Sequence, residues 1–309
     1  MLDNNGERNM TNLKTPLRYP GGKSRAIKKL NPSLLDNFSD FREPFLGGGS
    51  MALHITQTRP NADIWVNDAY YNLYNFWVQL RDNGTDLHRE LAKIKQPIVY
   101  VSKPLRKKKV PKKDWEPGIQ QMIDKHRELF NHAKSSISSE TDDLTKAVYF
   151  YILNKCSFSG LGESSSFSEQ ASEQNFSMTG IDKLPAYSEL IKNWKITNLD
   201  YAEVMNAPGK DCFVFLDPPY DIKDDLYGKN GDMHSGFDHM LFYEDVVQCP
   251  HNWMITYNSN EVLKKRFSDY FFNDWDLTYT MRSSKVYTEA QRDRKELLIT
   301  NYERNNSNA

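Results

Sequence analysis

The sequence predicts an open α/β sheet carrying a helical insertion, and three observations lead there. Strand-length and helical stretches alternate through residue 83, strand-length apolar runs return from residue 194, and Asp217-Pro218-Pro219-Tyr220 comes directly off one of those runs. In open α/β sheets ligands bind beyond the carboxyl ends of the strands, which is where this tetrapeptide would lie.

A chain of 309 residues is long enough to bury a sizeable core. Lys plus Arg number 40 against 41 Asp plus Glu, so only local clustering can indicate a polyanionic partner. Cys156, Cys212 and Cys249 show no C-x-x-C spacing, which points to reduced thiols and away from a disulfide frame or a metal site. No stretch approaches the roughly 20 apolar residues of a membrane span, and the polar N-terminus lacks the apolar region of a signal peptide. A cytoplasmic protein is expected.

The elements follow in order. Pro20-Gly21-Gly22-Lys23-Ser24 forms a turn that opens a helical pattern through Leu35; the upstream Gly and feeding strand of a phosphate-binding loop are missing. Residues 41–45 read as a strand running into Gly47-Gly48-Gly49-Ser50, after which Met51, Ala52, Leu53 and Ile55 mark a helix. The glycine turn lacks G-x-G-x-x-G spacing but suits a backbone that approaches a bound small molecule. Residues 63–66 give a second strand ending at Asn67-Asp68, and Leu73, Phe76, Trp77 and Leu80 form a helical stripe. Asp68 stands about twenty residues beyond the glycines, where an acid can accept from both hydroxyls of a ribose. It equally suits the N-cap of a segment beginning at Ala69.

From residue 84 to 193 polar helical segments replace the alternation. Lys103, Arg106, Lys107, Lys108, Lys109, Lys112 and Lys113 make a run with no acid, suited to phosphates or to a solvated loop. Residues 154–174, with Ser157, Phe158 and further serines, read either as a recognition hairpin or as a low-complexity linker. The core pattern then returns at residues 194–197, 211–216, 253–257, 270–280 and 296–302, with a helical segment after Ser259.

The Asp-Pro-Pro-Tyr chemistry suits an aromatic amine, whose lone pair is delocalised into its ring. Making such a nitrogen nucleophilic requires acceptors for its N–H groups: Asp217 can take one and the Pro218 carbonyl the other. Pro218 and Pro219 stiffen the turn, and Tyr220 offers a face for stacking. Residues 221–237 read as a loop that closes over a bound base or as a plain surface loop.

Leu17-Arg18-Tyr19-Pro20-Gly21-Gly22-Lys23, Arg42-Glu43-Pro44-Phe45-Leu46-Gly47-Gly48-Gly49-Ser50, Asn67-Asp68 and Asp217-Pro218-Pro219-Tyr220 together resemble the ordered motifs of Dam-type, D12-class, adenine-specific DNA methyltransferases. The resemblance runs from Leu17 to about Tyr302. It implies a Rossmann-like class I methyltransferase sheet of seven strands with an antiparallel last pair. It also implies a cofactor part at 14–83, a target-recognition insertion at 84–193, a catalytic part at 194–303, and flexible termini at 1–13 and 304–309.

The implied cofactor is S-adenosyl-L-methionine, contacted by Tyr19, Lys23, Glu43, Phe45, the turn at Gly47 and Gly49, Asp68, Asp200, Tyr201 and Asp217. Asp217, Pro218, Pro219 and Tyr220 are the implied catalytic set, acting on the N6 amine of an adenine flipped out of double-stranded DNA. Arg106, Lys107, Lys108, Lys109, Lys112, Lys113, Ser157 and Phe158 are the expected DNA contacts of a monomer with no obligate protein partner. Tyr19 stands where many members carry Trp, and residues 154–174 depart from the Arg- and Asn-rich loop of GATC-specific members, so no target sequence follows. RNA or protein methylation, cytosine-N4 methylation and a silent DNA-binding regulator are the competing functions.

Overall fold

The strand β4 (Cys212–Leu216) has all five side chains buried, which requires cover on both faces of a sheet. The computed structural model, which describes residues 12–98, 117–160, 162–220, 237–259, 261–276 and 295–303, places it at the centre. The other strands are β1 (Asp40–Glu43), β2 (Asp63–Asn67), β3 (Lys195–Thr197), β5 (Asn252–Asn258), β6 (Phe271–Asp276) and β7 (Lys295–Thr300), in the order β3-β2-β1-β4-β5-β7-β6. The first five pair in parallel, while β7 runs antiparallel to both β5 and β6. This is the seven-stranded arrangement with an antiparallel last pair that the motifs imply.

Alternation along the strands divides the core in two. Phe213 and Phe215 join Phe41, Met254 and Leu298 on one face, whereas Val214 and Leu216 join Trp253, Ile255, Leu297 and Ile299 on the other. The first face is covered by α2 (Ser50–Thr58) and α3 (Tyr71–Asp82), which follow a short α1 (Ile27–Leu30). Behind them stand α4 (Gly84–Lys95), α5 (Pro117–Ser136), α6 (Asp143–Cys156), α7 (Glu169–Asn175), α8 (Met178–Ile181) and α9 (Leu184–Ile191). Leu87, Leu91, Phe130, Tyr151, Leu184 and Ile191 belong to one apolar cluster with Leu73, Phe76 and Trp77, so these helices are built onto the sheet. The second face carries α10 (Tyr201–Asn206), α11 (His239–Gln248) and α12 (Glu261–Arg266).

Three local expectations change. The helix read through Leu35 is broken into a 3-10 turn at Lys23–Arg25, the short α1 and a second 3-10 turn at Asn31–Ser33; Pro32, which donates no backbone hydrogen bond, stops α1 from continuing. Among the described residues, 154–174 pair as strands only at one antiparallel bridge, Ser157 to Phe167: α6 ends at Cys156, two 3-10 turns follow, and α7 begins at Glu169. Leu13, expected in a flexible terminus, is tied to α2, with its N–H donating to Gln57 at 2.7 Å and its carbonyl accepting from Gln57 at 3.0 Å. Among the described residues no helix is long and apolar enough to cross a membrane, and all three cysteines are free and buried.

Strand order reverses direction between β1 and β4, and at such a switch point the loops leaving adjacent strands part to leave a crevice. The glycine turn leaves β1 there and Asp217-Pro218-Pro219-Tyr220 leaves β4.

Candidate active site

Asp217 follows the last residue of β4, and its carboxylate is held from two sides. Oδ1 accepts from Lys23 Nζ at 2.7 Å and from Thr256 Oγ1 at 2.7 Å, while Oδ2 accepts from Lys23 at 2.9 Å. Lys23 is 3% exposed and Asp217 20% exposed, so the cation is sealed in and the carboxylate keeps an open edge. Lys23 also donates to the Gly21 carbonyl at 3.1 Å and to the Tyr220 hydroxyl at 2.7 Å, which distributes its three N–H groups over the site. A buried pair of this kind is strongly destabilising to break, because the surviving charge has left water without a partner.

Tyr220 is fixed at both ends. Its hydroxyl donates to Glu296 Oε2 at 2.8 Å, and its ring stacks on Tyr257 with centroids 5.7 Å apart and planes at 22°. Glu296, from β7, is 1% exposed. Tyr220→Phe keeps the stack but leaves Glu296 one donor short, an expected stability loss of about 1–3 kcal/mol with a less than roughly tenfold loss of turnover. Melting temperature and kcat measured together test this; a roughly hundredfold loss of kcat at unchanged stability would place the hydroxyl in the chemistry.

Beside this cluster lies the glycine turn. Gly47 and Gly49 have φ of 49° and 64°, in the left-handed region that disfavours a side chain. A Cβ on Gly47 would lie 2.7 Å from Tyr19 Cε1, and one on Gly49 2.8 Å from Trp77 Cζ2. Two aromatic rings of the protein itself therefore account for both glycines. Asp68, just past β2, is 8% exposed; Oδ2 accepts the Gly47 N–H at 2.9 Å and Oδ1 the Tyr70 N–H at 3.0 Å. Burial pushes its carboxyl up to about 6 against those two hydrogen bonds. It braces the turn, and α3 begins later, with Tyr70 at its N-cap.

Glu43 ends β1, buried, with Oε2 accepting the Ala52 N–H of α2 at 2.8 Å. Burial raises its carboxyl well above the usual range, reinforced by the negative charges of Asp217 and Asp68. Phe45 stacks on Tyr201 with centroids 5.2 Å apart, and Tyr201 donates to Asp245 at 2.7 Å. Asp200 is the N-cap of α10 and forms a capping box with Glu203.

The structure thus brings Lys23, Asp217 and Tyr220 into direct contact, and joins Tyr19, Gly47 and Asp68 in a second group beside them. Sequence reasoning missed Thr256 and Glu296. The signal was present in both: a polar residue inside or opening an apolar strand run, 0% and 1% exposed respectively, requires a buried partner.

Of the expected DNA contacts, Ser157 is corrected. It is 0% exposed, and its hydroxyl accepts the Gly162 N–H at 3.2 Å, so it holds a turn. Phe158 is 45% exposed. Arg106, Lys107, Lys108, Lys109, Lys112 and Lys113, and residues 221–236, lie outside the described residues.

A family model described as D12 class N6 adenine-specific DNA methyltransferase matches residues 19–281. The chain is 23% identical over 217 residues to the type II methyltransferase M.MjaIII of Methanocaldococcus jannaschii, covering 67% of this chain and 69% of that protein. It is 19% identical over 312 residues to the type II methyltransferase M1.LlaDCHI of Lactococcus lactis subsp. cremoris, covering 96% of this chain and 98% of that protein.

Proposed function

The chain belongs to the D12 class of N6 adenine-specific DNA methyltransferases, and from that premise we propose that it transfers a methyl group from S-adenosyl-L-methionine to the N6 amine of an adenine turned out of double-stranded DNA. The observation that carries the reading is the Asp217 carboxylate at the switch point, held by Lys23 and Thr256 yet 20% exposed. An acceptor already fixed in place needs little reorganisation when an amine N–H meets it.

The second group, together with the Phe45–Tyr201 stack, suits the proposed cofactor. Asp68 supplies a carboxylate for ribose hydroxyls, Tyr19, Phe45 and Tyr201 supply aromatic surface, and the glycine turn supplies backbone. The donor, when bound, provides an electrophilic methyl group on a sulfonium centre. Asp217 holds the amine, Pro218 and Pro219 limit its motion, and the Tyr220 ring, braced by Tyr257, gives the base a surface to stack on. Unstacking an adenine from duplex DNA costs a few kcal/mol, which stacking and hydrogen bonding in the pocket offset. The basic run at residues 103–113 is assigned to DNA phosphates.

Incubation with labelled S-adenosyl-L-methionine and unmethylated genomic DNA, followed by nucleoside analysis, tests the reading. N6-methyladenine is the expected product; label on cytosine, RNA or protein instead overturns it.

Asp68 makes the donor site pH-dependent. Its carboxyl is raised from 3.8 in the unfolded chain to about 6, so its contribution to fold stability is present below about 4 and is lost as pH rises through 6. Ribose hydroxyls donate best to the ionised form. Donor affinity is therefore expected to rise with pH to a plateau above about 6, and Asp68→Asn to give a flat, weak profile. Calorimetric titrations across pH check this, and a step surviving in the variant would assign the titration elsewhere.

A further inference from the structure

Two hydrogen-bond routes run into the site, one from the last turn of α6 and one from the segment after it. Asn154 is 1% exposed, and its carboxamide takes both backbone groups of Arg18: Oδ1 accepts the N–H at 2.9 Å and Nδ2 donates to the carbonyl at 2.7 Å. Nδ2 also donates to the Gly160 carbonyl at 3.1 Å. Arg18 returns a guanidinium hydrogen bond to the Ser157 carbonyl at 2.7 Å, and the neighbouring Lys155 donates to the Pro16 carbonyl. Gly160 has φ of 79°, and a Cβ there would lie 2.4 Å from the Arg18 carbonyl oxygen, so close approach is built into this turn.

What this grip holds is the strand of chain leading into the site. Tyr19 follows Arg18 and lays its ring on Gly47, while its carbonyl accepts the Gly22 N–H at 3.1 Å, closing the turn that presents Lys23 to Asp217.

The second route starts nine residues beyond Asn154, at Glu163. Glu163 Oε1 accepts from the Tyr70 hydroxyl and from Asn72 Nδ2 at 2.5 Å. Burial and the adjacent Glu163 charge both hold the Tyr70 phenol protonated, which keeps it a donor. The Tyr70 N–H in turn meets Asp68, and Asp68 meets the Gly47 N–H. The two routes start nine residues apart in the chain and converge on the same glycine.

We propose that Asn154 and Glu163 are positioning residues for the methyl donor: from within the insertion they set the Tyr19 ring and the Asp68 carboxylate on either side of Gly47. The proposal rests on the methyl-donor reading above and adds to it a route by which the insertion controls donor affinity. Neither residue touches the reacting atoms. The segment that bears the exposed Phe158 thereby becomes a mechanical part of the cofactor site.

The test uses the full chain with three variants, Asn154→Ala, Glu163→Ala and Glu163→Gln. Calorimetry measures binding of S-adenosyl-L-methionine, a separate titration measures binding of a DNA duplex, and melting temperature reports the fold. Both alanine variants are expected to weaken donor binding about tenfold or more, since each loses hydrogen bonds to buried or charged groups. Glu163→Gln, which keeps an acceptor of the same shape, should restore donor binding to within about threefold, and duplex affinity should stay within about threefold throughout. Glu163 is only half-buried, so its alanine variant keeps the proposal testable if Asn154→Ala fails to fold. A folded Glu163→Ala with donor affinity within about twofold of wild type overturns the proposal, as does parallel weakening of donor and duplex, which is what general loosening produces. If the wild-type chain binds no S-adenosyl-L-methionine, the donor reading falls first and this proposal with it.

Discussion

Replacing Asp217 by Ala is expected to abolish methyl transfer, lowering kcat by at least about a thousandfold, because the amine loses its fixed acceptor. The same change strands Lys23, which is 3% exposed and spends two of its contacts on this carboxylate. Removing one member of a buried pair costs about 3–5 kcal/mol, a large part of the roughly 5–15 kcal/mol that holds a typical domain together. Ala alone would therefore confuse chemistry with folding. Asp217→Asn separates them: it keeps an acceptor for Thr256 and the shape of the site, and is expected to remain folded while kcat falls about a hundredfold. Turnover with labelled donor and melting temperature, measured on both variants, decide the matter. Either folded variant retaining kcat within about tenfold of wild type would remove Asp217 from the reaction.

A stability loss of comparable size, with no direct effect on the reacting groups, is expected at Gly49, where Ala meets two separate penalties. At φ 64° a side chain costs about 1–2 kcal/mol in backbone strain. The added Cβ would also lie 2.8 and 2.9 Å from Trp77 ring atoms, and Trp77 is 0% exposed with its indole N–H donating to the Gly47 carbonyl at 3.1 Å. That ring has no room to retreat, so overpacking adds about 1–3 kcal/mol. The sum, about 2–5 kcal/mol, corresponds to a fall in Tm of roughly 3–8 °C for a chain of this size. Gly162→Ala provides the control: its φ is 62°, yet among the described residues no heavy atom outside its chain neighbours lies within 4 Å of the added Cβ, so the backbone penalty dominates. Equal destabilisation of the two variants would show that the Trp77 contact does not matter.

The packing around Gly47 and Gly49 also explains why this turn is built from glycine. Spacing along the chain suggests a backbone left bare for a ligand, whereas the residues that exclude a Cβ here are Tyr19 and Trp77, 28 residues to either side of Gly47 to Gly49 in round terms, about one or two elements away. The glycines keep their place at the switch point, but left-handed backbone and packing against these rings are what forbid their replacement.

Local patterns were enough to establish the sheet, its strands and the two words that flank its crevice. Continuous apolar runs such as residues 212–216 can be satisfied only between two covered faces, and Asp217-Pro218-Pro219-Tyr220 needs no distant residue to stop a strand and present a carboxylate. Partnership was not legible in the same way. That Lys23 pairs with Asp217 across 194 positions, that Thr256 and Glu296 complete the site, and that Asn154 grips Arg18 while Ser157 is buried all depend on which loops the strand order brings to one edge. Burial on a strand or helix face repeats along the chain and can be read from its period; a hydrogen bond between loops has no period, and only the folded topology decides it.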